Sequence, residues 1–431
     1  VKTALRFTSE RSISFVPAPD LSVTVGVDAL TATTIRTVFR RCRRSGLIQD
    51  KGKSKMGDDK KLDFLQALRG VAIMLVVLSH TRWFFLVTPY QATAESLLHA
   101  GAAGVDVFFV ISGFIMAYTT RRSDGSAVDV VRFYIRRFTK IWIPYVAIGL
   151  VTFAVVKGWG MFRFENLIWA AKSLLFIPPD VHSFLYLGGG LTDVAWSLNY
   201  EAYFYLTFGL SMFFSRFRYA ALFLWNILFL VAYPLWDHGH TSLLVTSRID
   251  SGSAYLQMMT NPIIFEFLAG IVIGKIYLSS FRLQSTMLAS ILAASVIVGF
   301  VWCLLENLAS DNGLLGWGGW AIALIFGLAI ASKSMRIPSP SWLVWIGNIS
   351  YALYLVHPLV NMTMNHLFIA VGLVSLIPTI GHIVLTTAVS IMVAMVAHAV
   401  LDQYLHTRIR DGLLRRIPGS TKGALTSAPA P

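Results

Sequence analysis

From Phe64 onward the chain alternates between apolar runs of about 20 residues and short polar or charged joints. Runs of that length cross a hydrocarbon core as helices, because a helix satisfies every backbone N–H and C=O within the segment. Ten such runs are read, near residues 64–87, 101–119, 139–157, 195–214, 218–236, 262–280, 286–306, 314–332, 343–369 and 379–401. The expected fold class is therefore all-α, a polytopic integral membrane protein of about ten transmembrane helices. Composition agrees, since only 13% of residues are charged and 55% hydrophobic, where a soluble domain carries roughly 25% charged residues. The segment 161–177 is apolar but broken by Arg163, Glu165 and Lys172, and reads as an interfacial helix rather than an eleventh span.

Residues 1–61 are polar, with a basic run from Arg40 to Lys61, and are expected to be a disordered extension without a cleaved signal peptide. Met56 is a candidate for the true start. The membrane domain is placed at 62–402 and a cytoplasmic tail, mostly disordered, at 403–431, its end after Arg416 being Gly, Ser, Ala and Pro. A formal charge of +14 raises the question of nucleic acid, but the cations fall between apolar runs instead of lining a soluble face, so no nucleic-acid partner is expected. With ten spans, the external segments hold only Arg82, Lys157, Arg163, Lys172 and Arg248 of the 36 Lys and Arg residues, and Arg69 lies inside the first span. The rest fall on the cytoplasmic side, which puts both termini in the cytoplasm and the protein in the cell's plasma or inner membrane. Cys42 and Cys303 are too far apart in sequence for a disulfide framework or a zinc site, so neither a metal nor redox chemistry is expected. There is no visible internal repeat of the kind that transporters carry.

Ionisable groups are costly in hydrocarbon and become candidates for function, against the alternative that they only pair helices together. Arg69 and His80 are eleven residues apart, which sets them about 20° apart in azimuth and ~16 Å apart in depth on one helix face. Arg69 at the cytoplasmic end can also snorkel to headgroups, and His80 alone reads as a satisfied core histidine. Asp106 opens the second span from outside, where a carboxylate also caps the positive end of a helix dipole. Glu201 enters with the fourth span and shares a face with Tyr205, so a structural hydrogen bond is its plain alternative; Trp196 by itself reads as an interfacial anchor. Ser350, Tyr354 and His357, spaced by four and three, form a stripe on the ninth span, with Pro358 one residue further on. Glu266 is a weaker outer-half candidate. His80, Asp106, Glu201 and His357 are thus expected at similar depth from four helices, with Arg69 as their inner counterpart. A histidine beside a carboxylate suits general-base removal of a hydroxyl proton. The basic joint containing Arg136, Arg137 and Lys140 suits phosphates, of a donor or of lipid headgroups.

The chain resembles the membrane acyltransferase-3 family over about 62 to 402. The resemblance rests on Leu62-Asp-Phe-Leu-Gln-Ala-Leu-Arg69-Gly70 with His80 eleven residues after the arginine, and on Gly104-Val-Asp106-Val-Phe-Phe-Val-Ile-Ser112-Gly113. Arg136-Arg137-Phe-Thr-Lys140-Ile-Trp-Ile-Pro144, Trp196-Ser-Leu-Asn-Tyr-Glu201 and Ile349-Ser350-Tyr351-Ala-Leu-Tyr354-Leu-Val-His357 complete it in order. Lys140 departs from the family, which more often has an arginine fork there. Many relatives append an extracytoplasmic hydrolase-like domain, which is not expected here.

The resemblance implies acylation of a hydroxyl on an extracytoplasmic polysaccharide or a lipid-linked sugar, with acyl-coenzyme A, acetyl-CoA above all, as a donor substrate and no tightly bound cofactor. His80 would be the general base and Glu201 or Asp106 its partner. Arg69, Arg136, Arg137 and Lys140 would steer the anionic donor, and Ser112, Trp196, Ser350, Tyr354 and His357 would shape the pocket. With no obvious serine or cysteine nucleophile, direct transfer is expected. The alternatives are a transporter or flippase using the same polar stripe as a path, and an inactive scaffold for polysaccharide assembly.

Overall fold

Each of the ten apolar runs is a helix in the computed structural model, which describes residues 62–178, 185, 189–246 and 253–417. The basic extension 1–61 with Met56, the external cation Arg248 and the tail from 418 onward lie outside the described residues. Helix α1 (Asp63–Thr81) leads through a 3₁₀ turn to the short α2 (Gln91–Leu98), and then to α3 (Ala103–Thr119). There follow α4 (Ala127–Lys157), α5 (Phe164–Leu174), α6 (Ala195–Met212), α7 (Arg218–Ile227), which passes through one π turn into α8 (Tyr233–His238), and the short α9 (Ala254–Met259). The chain closes with α10 (Ile264–Leu278), α11 (Thr286–Leu305), α12 (Trp317–Ala331), α13 (Ser341–Ala370), α14 (Ile380–Ala397), a π-helix over His398–His406, and α15 (Thr407–Arg415). No strand occurs among the described residues. Among the described residues, seven helical stretches are long and apolar enough to cross a membrane, and α12 is a shorter apolar helix.

Two boundaries differ from the hydropathy reading. The span expected from 139 begins at Ala127, because Ser126 Oγ accepts the Asp129 N–H at 3.3 Å and caps the helix twelve residues earlier. The charged joint is therefore helical, with Arg137 and Lys140 partly buried and Arg136 exposed. At the other end, helical backbone runs past 402 to Arg415. Thr379 caps its start, and no Gly or Pro interrupts residues 382–411. The interfacial segment forms α5, which at eleven residues spans only ~16 Å and is too short to cross a core of ~30 Å.

Small residues set the spacing of the central helices. A Cβ on Gly347 would come within 1.9 Å of the Gln66 carbonyl oxygen, and one on Gly70 within 2.3 Å of the Leu343 oxygen, so α1 and α13 touch backbone to backbone. Gly113 and Gly270 do the same for α3 and α10, each 2.1 Å from a carbonyl of the other helix. Such contact gives dispersion and packing energy where lipid offers no hydrophobic drive for helices to associate. At the rim, α11 buries only Ala289, Ala293, Phe300 and Cys303 and presents Leu288, Ile291, Val298 and Leu305 outward, as a lipid-facing helix does.

Candidate active site

Helices α1, α3, α4, α6 and α13 enclose a cavity of about 110 Å³. Its polar wall is built from Arg69 of α1, Arg137 and Lys140 of α4, Glu201 and Tyr205 of α6, and Ser350 of α13. Val105, Phe108, Phe109 and Met116, on one face of α3, supply much of the apolar wall, and Ser112 adds a hydroxyl on the same face. Arg69 donates to Ser350 Oγ at 3.2 Å across the glycine-mediated α1–α13 contact. The Glu201 carboxylate accepts from Ser112 Oγ at 3.3 Å and from the Tyr205 hydroxyl one turn along its own helix. Arg69 and Arg137 are the cations whose field reaches Glu201. Toward the other end, Ser197 Oγ and the Tyr354 hydroxyl are 2.7 Å apart, both within reach of the Val194 carbonyl.

Tyr354 hands the cavity on to a histidine pair. Its ring lies 6.0 Å from that of His357, and the His357 ring meets His80 edge-on at 4.8 Å. Each imidazole Nδ1 contacts the carbonyl four residues back, His80 to Val76 at 2.9 Å and His357 to Leu353 at 3.0 Å. A carbonyl only accepts, so Nδ1 carries the proton in both rings and each Nε2 presents a lone pair. His357 Nε2 is fully buried and has no hydrogen-bond partner among the described residues. A lone pair held in a fixed direction beside a buried cavity is what proton removal from a hydroxyl requires.

The four groups expected at one depth do not meet. They divide into His80 with His357, Glu201 with the cationic wall, and Asp106 in a separate cluster. The helix that carries Glu201 starts inside the protein, since Leu191, Thr192 and Val194 ahead of α6 are themselves buried. Asp106 points away from the cavity on α3 and accepts from Asn312 Nδ2 at 2.6 Å and the Gly313 N–H at 2.9 Å, with Glu266 beside it. Asp193, just before α6, is the carboxylate whose field reaches His80. Trp196 is off the cavity wall, packing edge-on against Phe109 at 6.3 Å, and Arg136 is on the exposed side of α4. Ser112, Ser350, Tyr354, Arg69, Arg137 and Lys140 do line the cavity, and His357 adjoins it.

Ser197 and Tyr351 were missing from the expected pocket. Ser197, Glu201 and Tyr205 recur every four residues, so a stripe on α6 was present to be read. Tyr351 lines the cavity and donates to the Ile141 carbonyl at 2.7 Å, fixing α13 to α4 beside Lys140.

Fold and site together define a multi-pass, all-α membrane protein with a cavity that carries a cationic wall and that a histidine pair adjoins through Tyr354. The chain belongs to the acyltransferase-3 family, an acyltransferase domain that matches residues 62–399, and it is an acyltransferase. Exopolysaccharide production protein ExoZ of Rhizobium meliloti (strain 1021) is 27% identical over 331 residues, covering 75% of this chain and 94% of the relative. Nodulation protein 10 of Rhizobium leguminosarum bv. viciae is 25% identical over 320 residues, 71% of this chain and 83% of the relative. Acyltransferase MdmB of Streptomyces mycarofaciens is 30% identical over 161 residues, 35% of this chain and 39% of the relative. No solved structure matches.

Proposed function

We propose that this protein moves an acyl group, acetyl above all, from acyl-coenzyme A to a hydroxyl of an extracytoplasmic or lipid-linked polysaccharide sugar, with His80 as general base. The observation that carries this reading is the cavity itself, with Arg69, Arg137, Lys140 and Tyr354 on its wall, and His357 and His80 following in sequence behind Tyr354. A cavity of about 110 Å³ is too small for a nucleotide but takes a thioester end, so the phosphates would stay at the cations while the acyl carbonyl reaches inward. The cationic wall would face the cytoplasm and the histidines the exterior, with both termini cytoplasmic in the plasma or inner membrane. The name of ExoZ, a relative covered nearly end to end, favours a polysaccharide acceptor.

In this reading His80 Nε2 takes the hydroxyl proton as the sugar oxygen bonds to the thioester carbonyl carbon. The carbon–sulfur bond then breaks, and the proton passes to the departing thiolate. His357, packed on His80, holds the ring and keeps its own Nε2 available to the acceptor. No enzyme nucleophile is needed. The test is transfer of labelled acetyl from acetyl-CoA to polysaccharide in isolated membranes, with the product read by mass and NMR. Label in ester linkage on sugar is the expected result; movement of sugar or lipid without label would establish a transporter instead.

A further inference from the structure

The last long helix changes character where its apolar run stops. Past Ala397 it widens into the π-helix His398–His406, a form that is rare and collects at functional sites. This turn carries Asp402, whose side chain is 2% exposed and whose Oδ1 lies 3.4 Å from Lys140 Nζ. Its Oδ2 is 3.0 Å from His398 Nδ1, and the Gln403 amide nitrogen is 3.1 Å from His398 Nε2. An amide nitrogen only donates, so His398 accepts at Nε2 and donates to Asp402 through Nδ1. The carboxylate is thereby held from behind by His398, and Lys140 is its ion-pair partner.

Lys140 lines the cavity and Asp402 does not. A lysine ammonium is a strongly hydrated point charge on a flexible stem, and left alone it retreats toward water. It has three donors, so a carboxylate held behind it at ion-pair distance leaves donors for a ligand in front. Among Arg69, Arg137, Lys140, Glu201 and Asp402 the basic side chains outnumber the carboxyl groups by one, which makes this end of the cavity attractive to an anion.

We propose that Asp402 is a positioning residue: it fixes the Lys140 ammonium at the cavity wall for a phosphate group of the donor. This inference rests on the reading of that wall as the donor site. The experiment uses the full-length protein in lipid nanodiscs, with acetyl-CoA as the probe for both binding and transfer. Asp402→Asn should raise the acetyl-CoA Kd and KM about tenfold while kcat stays within about threefold, and Asp402→Glu should restore both constants. In a Lys140→Met background, which itself raises KM, adding Asp402→Asn should change KM by less than about twofold, since the carboxylate then has no ammonium to place. An unchanged KM in Asp402→Asn, or an equal rise with and without Lys140, would overturn the proposal while leaving the donor site standing. A native protein that binds no acetyl-CoA at all would overturn both.

Discussion

At the scale of single residues, the separation of two carboxylates decides what each can do. Asp106 accepts from Asn312 and Gly313 in a cluster off the cavity, so Asp106→Ala strands two buried donors and should cost about 1–3 kcal/mol of stability. Its effect on kcat in the surviving protein should stay within about twofold; thermal unfolding in detergent and acyl transfer check the two halves, and a kcat collapse without destabilisation would return Asp106 to the chemistry. Tyr205→Phe removes one hydrogen bond to Glu201 inside the cavity and should cost about 1 kcal/mol in the same unfolding assay. These residues were visible in the sequence as intramembrane polar groups. Their partners were not, because spacing gives the azimuth and depth along one helix but says nothing of which neighbour faces it.

Among the elements, α1 and α13 carry most of the site between them, Arg69 to Ser350 at one level and His80 to His357 at another. Both contacts depend on the approach that Gly70 and Gly347 permit. Gly347→Leu would drive a side chain into the Gln66 carbonyl and should destabilise by about 1–3 kcal/mol. It should also lower transfer more than destabilisation explains, since both cross-helix pairs open together; a variant that unfolds earlier yet turns over normally per folded molecule would contradict this. All ten helices were legible from hydropathy, because a bilayer admits little besides helices of that length. Their ends were less so. The cap at Ser126 and the unbroken run of residues 382–411 lengthen two helices through charged sequence that hydropathy reads as joints. The triplet His398, Asp402 and His406 thus lay at the edge of the expected domain, although its spacing of four was present.

Over the whole molecule, the cavity has a direction, and the topology read from the cations gives that direction a meaning. In a Cys42→Ser background, with Cys303 buried, Trp159→Cys should react with a membrane-impermeant maleimide in intact cells, and Arg282→Cys only after permeabilisation. The reverse pattern would put the cationic wall outside, away from cytoplasmic coenzyme A. The central claim is that an imidazole beside this cavity removes the acceptor proton. It is tested most directly by comparing His80→Gln with the native protein, at matched membrane abundance, for transfer of labelled acetyl to polysaccharide. The account predicts a fall in kcat of about 10²–10⁴-fold with acetyl-CoA binding retained; transfer at an undiminished rate would contradict it.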